Sequence, residues 1–290
     1  MLTLIPPLMR PRGERTGAGI LEIYPVPTCM TSPADSSARK LGSLDVDAYL
    51  ADPSRKQAFV TPMFDIIAPR YDAFTKWFSL GMDAGWKRRA IAAAIAVAPG
   101  ARRALDLASG TGDVAAQLAR ALPQATVEAL DASPRMIDAA RTRLESVDAD
   151  VSARVTPMVG DMMALPQERA SIDVVSASYG VRNVPDPARC VREMARVLRP
   201  QGALVTLDFY RPGFAPWRVL FLWYLGVAGN VVGWWWHRDP IVYGYIARSI
   251  RDFMTADEFS ALLVREGFEV VRVKRYLFGG IAQHVARRVG

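Results

Sequence analysis

The stretch LDLASGTGD, Leu105 to Asp113, decides the fold. The preceding ARRALDLA (101–108) reads as a buried strand, and GDVAAQLARAL (112–122) is amphipathic at helical spacing. The glycines therefore fall in a strand-to-helix turn. Gly110 and Gly112 let the backbone turn tightly and approach a ligand, and a helix N-terminus favours negative groups. Outward from this turn the alternation continues. ATVEALD (125–131) is a strand, and Ser133-Pro134 opens a helix as an N-cap followed by proline at the first helical position. ARVTPMVGD (153–161) and SIDVVSASYG (171–180) are strands, and Asp186-Pro187 opens the helix ARCVREMARVLRP. GALVTLDFY (202–210) is a fifth strand. Thr255 and Glu258 form a capping box before FEVVRV and GGIAQHVA, two closing strands joined by a short turn. Strands alternating with helices of these lengths predict an α/β fold, a doubly wound Rossmann-like sheet of seven strands with the last antiparallel.

The turn alone, read as G-x-G-x-x-A through Ala115, is a weak dinucleotide fingerprint. Asp106 sits inside the strand end, where it would repel a pyrophosphate but can meet an amine, directly or through water. No Tyr-x-x-x-Lys pair and no G-x-x-x-x-G-K-S/T occur in the chain, which excludes a P-loop and the commonest short-chain dehydrogenase pair. Asp131 closes the second strand, where a carboxylate can accept from both hydroxyls of a ribose. GDMMALP (160–166) places Asp161 to accept from an adenine amino group. Taken alone, Asp131 is also a plausible helix cap and Asp161 a turn residue. In this order and spacing they resemble the S-adenosylmethionine site of class I methyltransferases.

Longer segments extend the likeness. FDIIAPRYDAFTKWFSLGMDAGWKRR (64–89), the glycine turn, GDMMALP, SYGVRNVPD (178–186), RVLRPQGALVTLDF (196–209) and YIARSIRDF (245–253) follow one another as in the ubiquinone/menaquinone biosynthesis C-methyltransferases. The resemblance runs from about residue 59 to the end. It implies methylation of a ring carbon on a prenylated demethyl-quinol, and cofactor contacts at Thr111, Asp131, Asp161, Met162 and Ser178, beside Asp106, Gly110 and Gly112 of the turn. The chain departs from the family at Phe74 and Thr75, where Met-Asn is usual, and at Asp83, where a histidine is usual. Gln201 replaces a glycine and Asp208 a glutamate. These departures leave the cofactor residues in place and bear on the acceptor, so a soluble phenol or polyketide is the rival substrate. A cofactor- or quinone-binding protein without turnover is the rival from another class.

Activating a quinol carbon requires the neighbouring hydroxyl to lose its proton. Arg182, which cannot be deprotonated at working pH, is assigned to the phenolate oxygen, directly or through water, with Asn183 orienting it; the competing role for Arg182 is an ion pair with Asp186. His284, matching a family histidine, is the candidate proton acceptor, against a structural role in the last strand. Tyr71 is a candidate cover or donor.

The chain has 290 residues and a net charge of +7, with five lysines among 36 basic residues. The arginines are scattered, without a basic block or aromatic platform, so nucleic acid is not an expected partner. Two cysteines, Cys29 and Cys190, and two histidines give neither a disulfide framework nor a zinc cluster. These features place the protein in the cytoplasm, metal-free, with its oligomeric state open between monomer and homo-oligomer. Residues 1–50 are proline-rich and non-periodic, predicted to be disordered, with Met30 an alternative start. Glu14, Glu22 and Asp35 argue against a transit peptide. The domain is assigned to 51–290, with a helical cap at 55–98 and an apolar insertion at 212–250. In that insertion VLFLWYLGVAGNVVGWWW (219–236) lacks charge but carries Gly226, Gly229, Asn230 and Gly233, and lies inside a closed fold. It is read as a lid touching the bilayer surface and admitting a prenyl tail, with Trp217, Trp223, Tyr224 and Trp234–Trp236 as interfacial rings and Arg218 and Arg238 flanking them. A buried helix pair is the plain alternative, and His237 is read as interfacial.

Overall fold

The computed structural model describes residues 53–68, 71–79, 81–237 and 241–290. The expectations for residues 1–50 and Arg238, and for the side chains of Phe74, Asn230, Trp234–Trp236 and His237, lie outside the described residues. Three helices come first, α1 (Pro53–Ile67), α2 (Tyr71–Phe78) and α3 (Met82–Val97). Five parallel strands follow: β1 (Arg103–Leu107), β2 (Thr126–Asp131), β3 (Val155–Val159), β4 (Ile172–Ser178) and β5 (Leu198–Phe209). They alternate with α4 (Asp113–Ala121), α5 (Pro134–Glu145), the short α6 (Ala149–Ser152) and α7 (Pro187–Val197). Helices α8 (Ala215–His237), α9 (Ile241–Arg251) and α10 (Ala256–Arg265) lead to β6 (Phe268–Tyr276) and β7 (Ile281–Arg288).

The sheet order is β3-β2-β1-β4-β5-β7-β6, with β7 antiparallel to both neighbours. Consecutive strand residues face opposite layers. Ala104 and Val174 pack under α3 and α4 with Leu118, while Leu105 and Val175 pack under α7 and α10 with Met194 and Phe259. Both faces are thus covered, as a parallel sheet requires. Three helix starts are held as their sequences indicate. Ser133 Oγ accepts from the Met136 amide at 3.1 Å, Asp186 Oδ1 from the Arg189 amide at 2.9 Å, and Thr255 and Glu258 cap each other reciprocally.

The fifth strand departs from its expected start at Gly202. Leu198 already pairs with Ile172, and Ala203 with Val174, so residues 199–202 loop out as a bulge. Within it Gln201 has φ 66°, a left-handed backbone that glycine adopts without strain.

The apolar stretch forms a continuous helix through its glycines. Helix α8 packs on α9 through Phe221, Leu225 and Ile250, all buried. Among the described residues no helix is long and apolar enough to cross a membrane.

Candidate active site

Every parallel strand points its C-terminal end at α1 and α2, and two adjoining cavities lie there. The first, about 700 Å³, is a cleft over the ends of β1, β2 and β4. Gly110, at φ 53°, donates its amide to Asp131 Oδ2 at 2.8 Å, and the Ser133 amide donates to Oδ1 at 2.9 Å. Asp131 is thereby fixed at the cleft wall with lone pairs still open to a ligand. Asp161 accepts the Met163 amide on Oδ1 at 2.8 Å, leaving its second oxygen beside Met162 and Ser178, which line the same wall. Asp106, near the end of β1, lines neither cavity; it is buried, with Ser176 bonded to Oδ1 and no partner for Oδ2 among the described residues. Burial pushes its carboxyl up to about 7 against the pull of Ser176.

The cleft fits S-adenosylmethionine on these observations. An orphaned buried carboxylate oxygen matches a cationic head, a doubly anchored carboxylate matches vicinal hydroxyls, and Asp161 beside the apolar Met162 matches a base with an amino group. Two residues of the turn serve it indirectly. Thr111 does not line the cleft; its hydroxyl donates to Asp72 at 2.8 Å, and Arg143 holds both Asp72 and the Thr111 carbonyl. Gly112, at φ 78°, starts α4, where a Cβ would stand 3.1 Å from that of Ala140.

The second cavity, about 920 Å³, lies between α1–α3, the end of β5 and the α8–α9 pair. Its walls are chiefly apolar, among them Met63, Ile67, Trp86, Phe209, Phe221, Leu225 and Ile246. Phe64, Tyr71 and Tyr179 line both cavities and form the partition between them. Phe64 and Tyr71 meet edge to face at 6.2 Å, and burial pushes the Tyr71 hydroxyl above its usual range.

Arg182 lines the second cavity from a 3-10 turn after β4, Val181–Asn183. Its partner is not Asp186, which caps α7. Its Nε lies 3.5 Å from Asp208 Oδ1, its amide donates to Oδ2 at 3.1 Å, and Nη1 donates to Ser249. Buried charges require such compensation. Lys56 Nζ donates to the carbonyls of Arg182 and Val184 at 2.9 and 3.1 Å, so α1 clamps the turn. Desolvation, aided by Arg182, lowers the Lys56 amine to about 8. Asn183 lines the first cavity and is tied at both ends of its amide. Its amide donates to the Tyr179 carbonyl at 3.0 Å and its oxygen accepts from Tyr245 at 3.0 Å.

His284 is removed from the chemistry by its position. It lines neither cavity. Its Nε2 donates to the Ala256 carbonyl at 3.0 Å, so its Nδ1 accepts from Tyr210, 3.3 Å away. Burial lowers it to about 4, and it braces β7 against α10.

The sequence reading assigned no role to Lys56, to Phe64, to Tyr179 or to the Asp83–Lys87 pair that Tyr179 touches. The i,i+4 spacing of Asp83 and Lys87 on α3 was the available signal.

The family model of the ubiE/COQ5 methyltransferase family matches residues 52–288. The chain belongs to this family. It is a methyltransferase that uses S-adenosylmethionine. Relatives named demethylmenaquinone methyltransferase occur in Thermotoga maritima (34% identical, covering 72% of this chain and 87% of the relative) and Thermus thermophilus (35%, 78% and 100%). One from Geobacter sp., named ubiquinone/menaquinone biosynthesis C-methyltransferase UbiE, is 35% identical over 79% of this chain and 95% of its own length. Among solved structures, the [4+2]-cyclase SpnF superposes with a TM-score of 0.58 at 18% identity, covering 80% of this chain and 96% of that one. A geranyl diphosphate methyltransferase gives 0.54 at 14%, covering 71% and 78%. These two likenesses concern the fold alone, which the family shares with enzymes of other chemistry.

Proposed function

We propose that this methyltransferase acts on a ring carbon of a prenylated demethyl-quinol, taken from the surface of a membrane. The observation that carries this reading is the second cavity, apolar, larger than the cleft and sharing with it the walls formed by Phe64, Tyr71 and Tyr179. A greasy acceptor in one chamber would meet the donor in the other across a partition of rings. The names of the relatives supply the acceptor class.

At the cleft Asp106, Asp131, Asp161, Met162 and Ser178 would hold the cofactor, which when bound supplies an electrophilic methyl group. The chain's own task is alignment and exclusion of water. Tyr71 and Phe64 cover both chambers, and the buried side chains around them leave little room for solvent. Arg182 presents a guanidinium to the acceptor chamber, and its charge, balanced by Asp208, polarises an oxygen placed beside it.

The mouth of the acceptor chamber supports membrane contact. Tyr224 and Leu277 line the cavity and are also exposed. Around them Phe214, just before α8, and Val219, Leu220, Trp223 and Val227 of α8 are exposed, as is Phe278, at 84%. The Trp217 ring packs edge-on against Phe278 at 5.3 Å, and its Nε1 donates to the Leu277 carbonyl, joining both segments into one apolar face. Such a face suits the headgroup boundary of a bilayer.

The test is mass spectrometry after incubating purified protein, S-adenosylmethionine and a chemically reduced prenylated demethylnaphthoquinol in mild detergent. One methyl gained on ring carbon, and none with the oxidised quinone, is the expected result. No product from a protein that binds S-adenosylmethionine would replace this acceptor with a soluble one.

A further inference from the structure

The quinol reading leaves a proton without a destination, since His284 is held elsewhere. The wall of the acceptor chamber offers one. The Tyr179 hydroxyl donates to Asp83 Oδ1 at 2.7 Å, and Asp83 Oδ2 lies 2.7 Å from Lys87 Nζ, which also reaches Asp113 at 3.3 Å. Asp83 and Lys87 are both buried. Met82 and Trp86 of the same helix, and Ser79 just before it, whose hydroxyl accepts the Asp83 amide at 3.3 Å, line the acceptor chamber, so the hydroxyl end of Tyr179 lies on that side of the partition. Tyr179 itself has φ 59°, a backbone strain that persists only where the surroundings impose it. Its ring is fixed against Phe209 at 5.4 Å.

We infer that Tyr179 and Asp83, held by Lys87, form the relay that accepts the hydroxyl proton of the acceptor. This rests on the quinol reading and deepens it. Because the Tyr179 proton is committed to Asp83, the free lone pair of Oη is an acceptor, suited to the O–H of a quinol and unsuited to the carbonyl of a quinone. As the ring carbon uses its π pair to take the methyl, sulfur keeps the electron pair of the breaking S–C bond. The acceptor's O–H bond breaks, its proton passes to Tyr179 Oη, and the tyrosine's own proton passes to Asp83 Oδ1. The pair left on oxygen becomes a C=O bond. Loss of the ring carbon's proton to water, with return of the relay's proton to oxygen, restores the aromatic quinol and releases one proton overall.

A carboxylate beside an ammonium is a weak base, but the hydroxyl becomes strongly acidic as the carbon–carbon bond forms, so the transfer needs no stronger one. The other titratable groups around the relay are Tyr71, Asp106 and Asp208. Tyr71 and Tyr179 are held neutral by burial, and Lys87 is held charged by Asp83 and Asp113 despite its burial.

Asp83→Asn and Tyr179→Phe test the relay in the full chain, with the reduced short-chain prenyl demethylnaphthoquinol as probe, from about pH 6 to about pH 10. Expected is a fall of ~10²–10⁴-fold in kcat/KM. The deficit should shrink as pH rises and the quinol ionises unaided, while calorimetry shows S-adenosylmethionine affinity within about twofold of the parent. Variants that turn over with the parent's rate and pH profile would overturn the relay and leave the quinol reading standing. So would loss of S-adenosylmethionine binding in both, which would make the pair structural. A parent protein that binds S-adenosylmethionine but leaves the quinol unchanged would overturn the quinol reading itself, and the relay with it.

Discussion

The two chambers are built on different principles. The cofactor cleft is floored by strand ends and their turns: its acidic side chains are oriented by amides of neighbouring turns, as Gly110 and Ser133 orient Asp131. The acceptor chamber is made of side chains from elements far apart in sequence, α1 to α3 on one side and α8 and α9 on the other. A turn whose amides fix an acidic side chain tolerates little change. A chamber walled by helices can be reshaped one ring at a time without disturbing the sheet.

Substitutions that strike one chamber and spare the other would sharpen that contrast. The largest effect is expected from Asp131→Ala, which removes the acceptor for two amides and the partner for the ligand's hydroxyls. Charge-assisted hydrogen bonds of about 1.5–3 kcal/mol each predict a loss of S-adenosylmethionine affinity of at least ~10²-fold by calorimetry. An unchanged affinity would break the assignment of the cleft.

Next in size is a pH effect on the same chamber. Asp106 in the free protein keeps its proton up to about pH 7, and a cationic ligand requires the ionised form. Affinity should therefore rise with pH by up to about tenfold per unit below 7 and level off above it. The same raised value means that this carboxyl's contribution to stability is intact at low pH and is lost as pH rises through about 7. Bound ligand should accordingly raise the melting temperature more at pH 8 than at pH 5.5, and Asp106→Asn should flatten both curves.

The acceptor chamber should respond to Phe221→Ala, which removes a buried ring packed across Gly280. A rise of roughly tenfold in KM for a prenylated acceptor is expected, with S-adenosylmethionine affinity unaltered. Joint replacement of Trp223 and Phe278 by serine should weaken sedimentation with anionic vesicles severalfold, without changing turnover of a detergent-dispersed acceptor. The smallest effect lies far from both chambers. Gln201→Gly relieves a left-handed backbone and should stabilise the fold by about 1 kcal/mol, a few degrees in melting temperature.

Legibility in the sequence followed the same division. The strand-to-helix turn, the acidic strand ends and three helix caps are written in contiguous residues, because hydrogen bonds between near neighbours create them. The spacing of Thr111 fits the turn, but its side chain is claimed by Asp72, 39 residues away. Asn183 and His284 show the same limit, since each is consumed by partners on distant helices. The ion pair weighed for Arg182 was with Asp186 of its own loop, whereas the carboxylate beside it comes from β5, as Asp208. Nothing local announced that Asp83 and Tyr179 would meet, because 96 residues separate them.

The partition has a thermodynamic consequence. Phe64, Tyr71 and Tyr179 belong to both chambers, so an occupant that settles these rings for itself settles them also for its neighbour. Coupling of this kind is reciprocal. Whatever factor a bound acceptor adds to the grip on the methyl donor, the donor must add to the grip on the acceptor, and two titrations run in opposite order would return the same number.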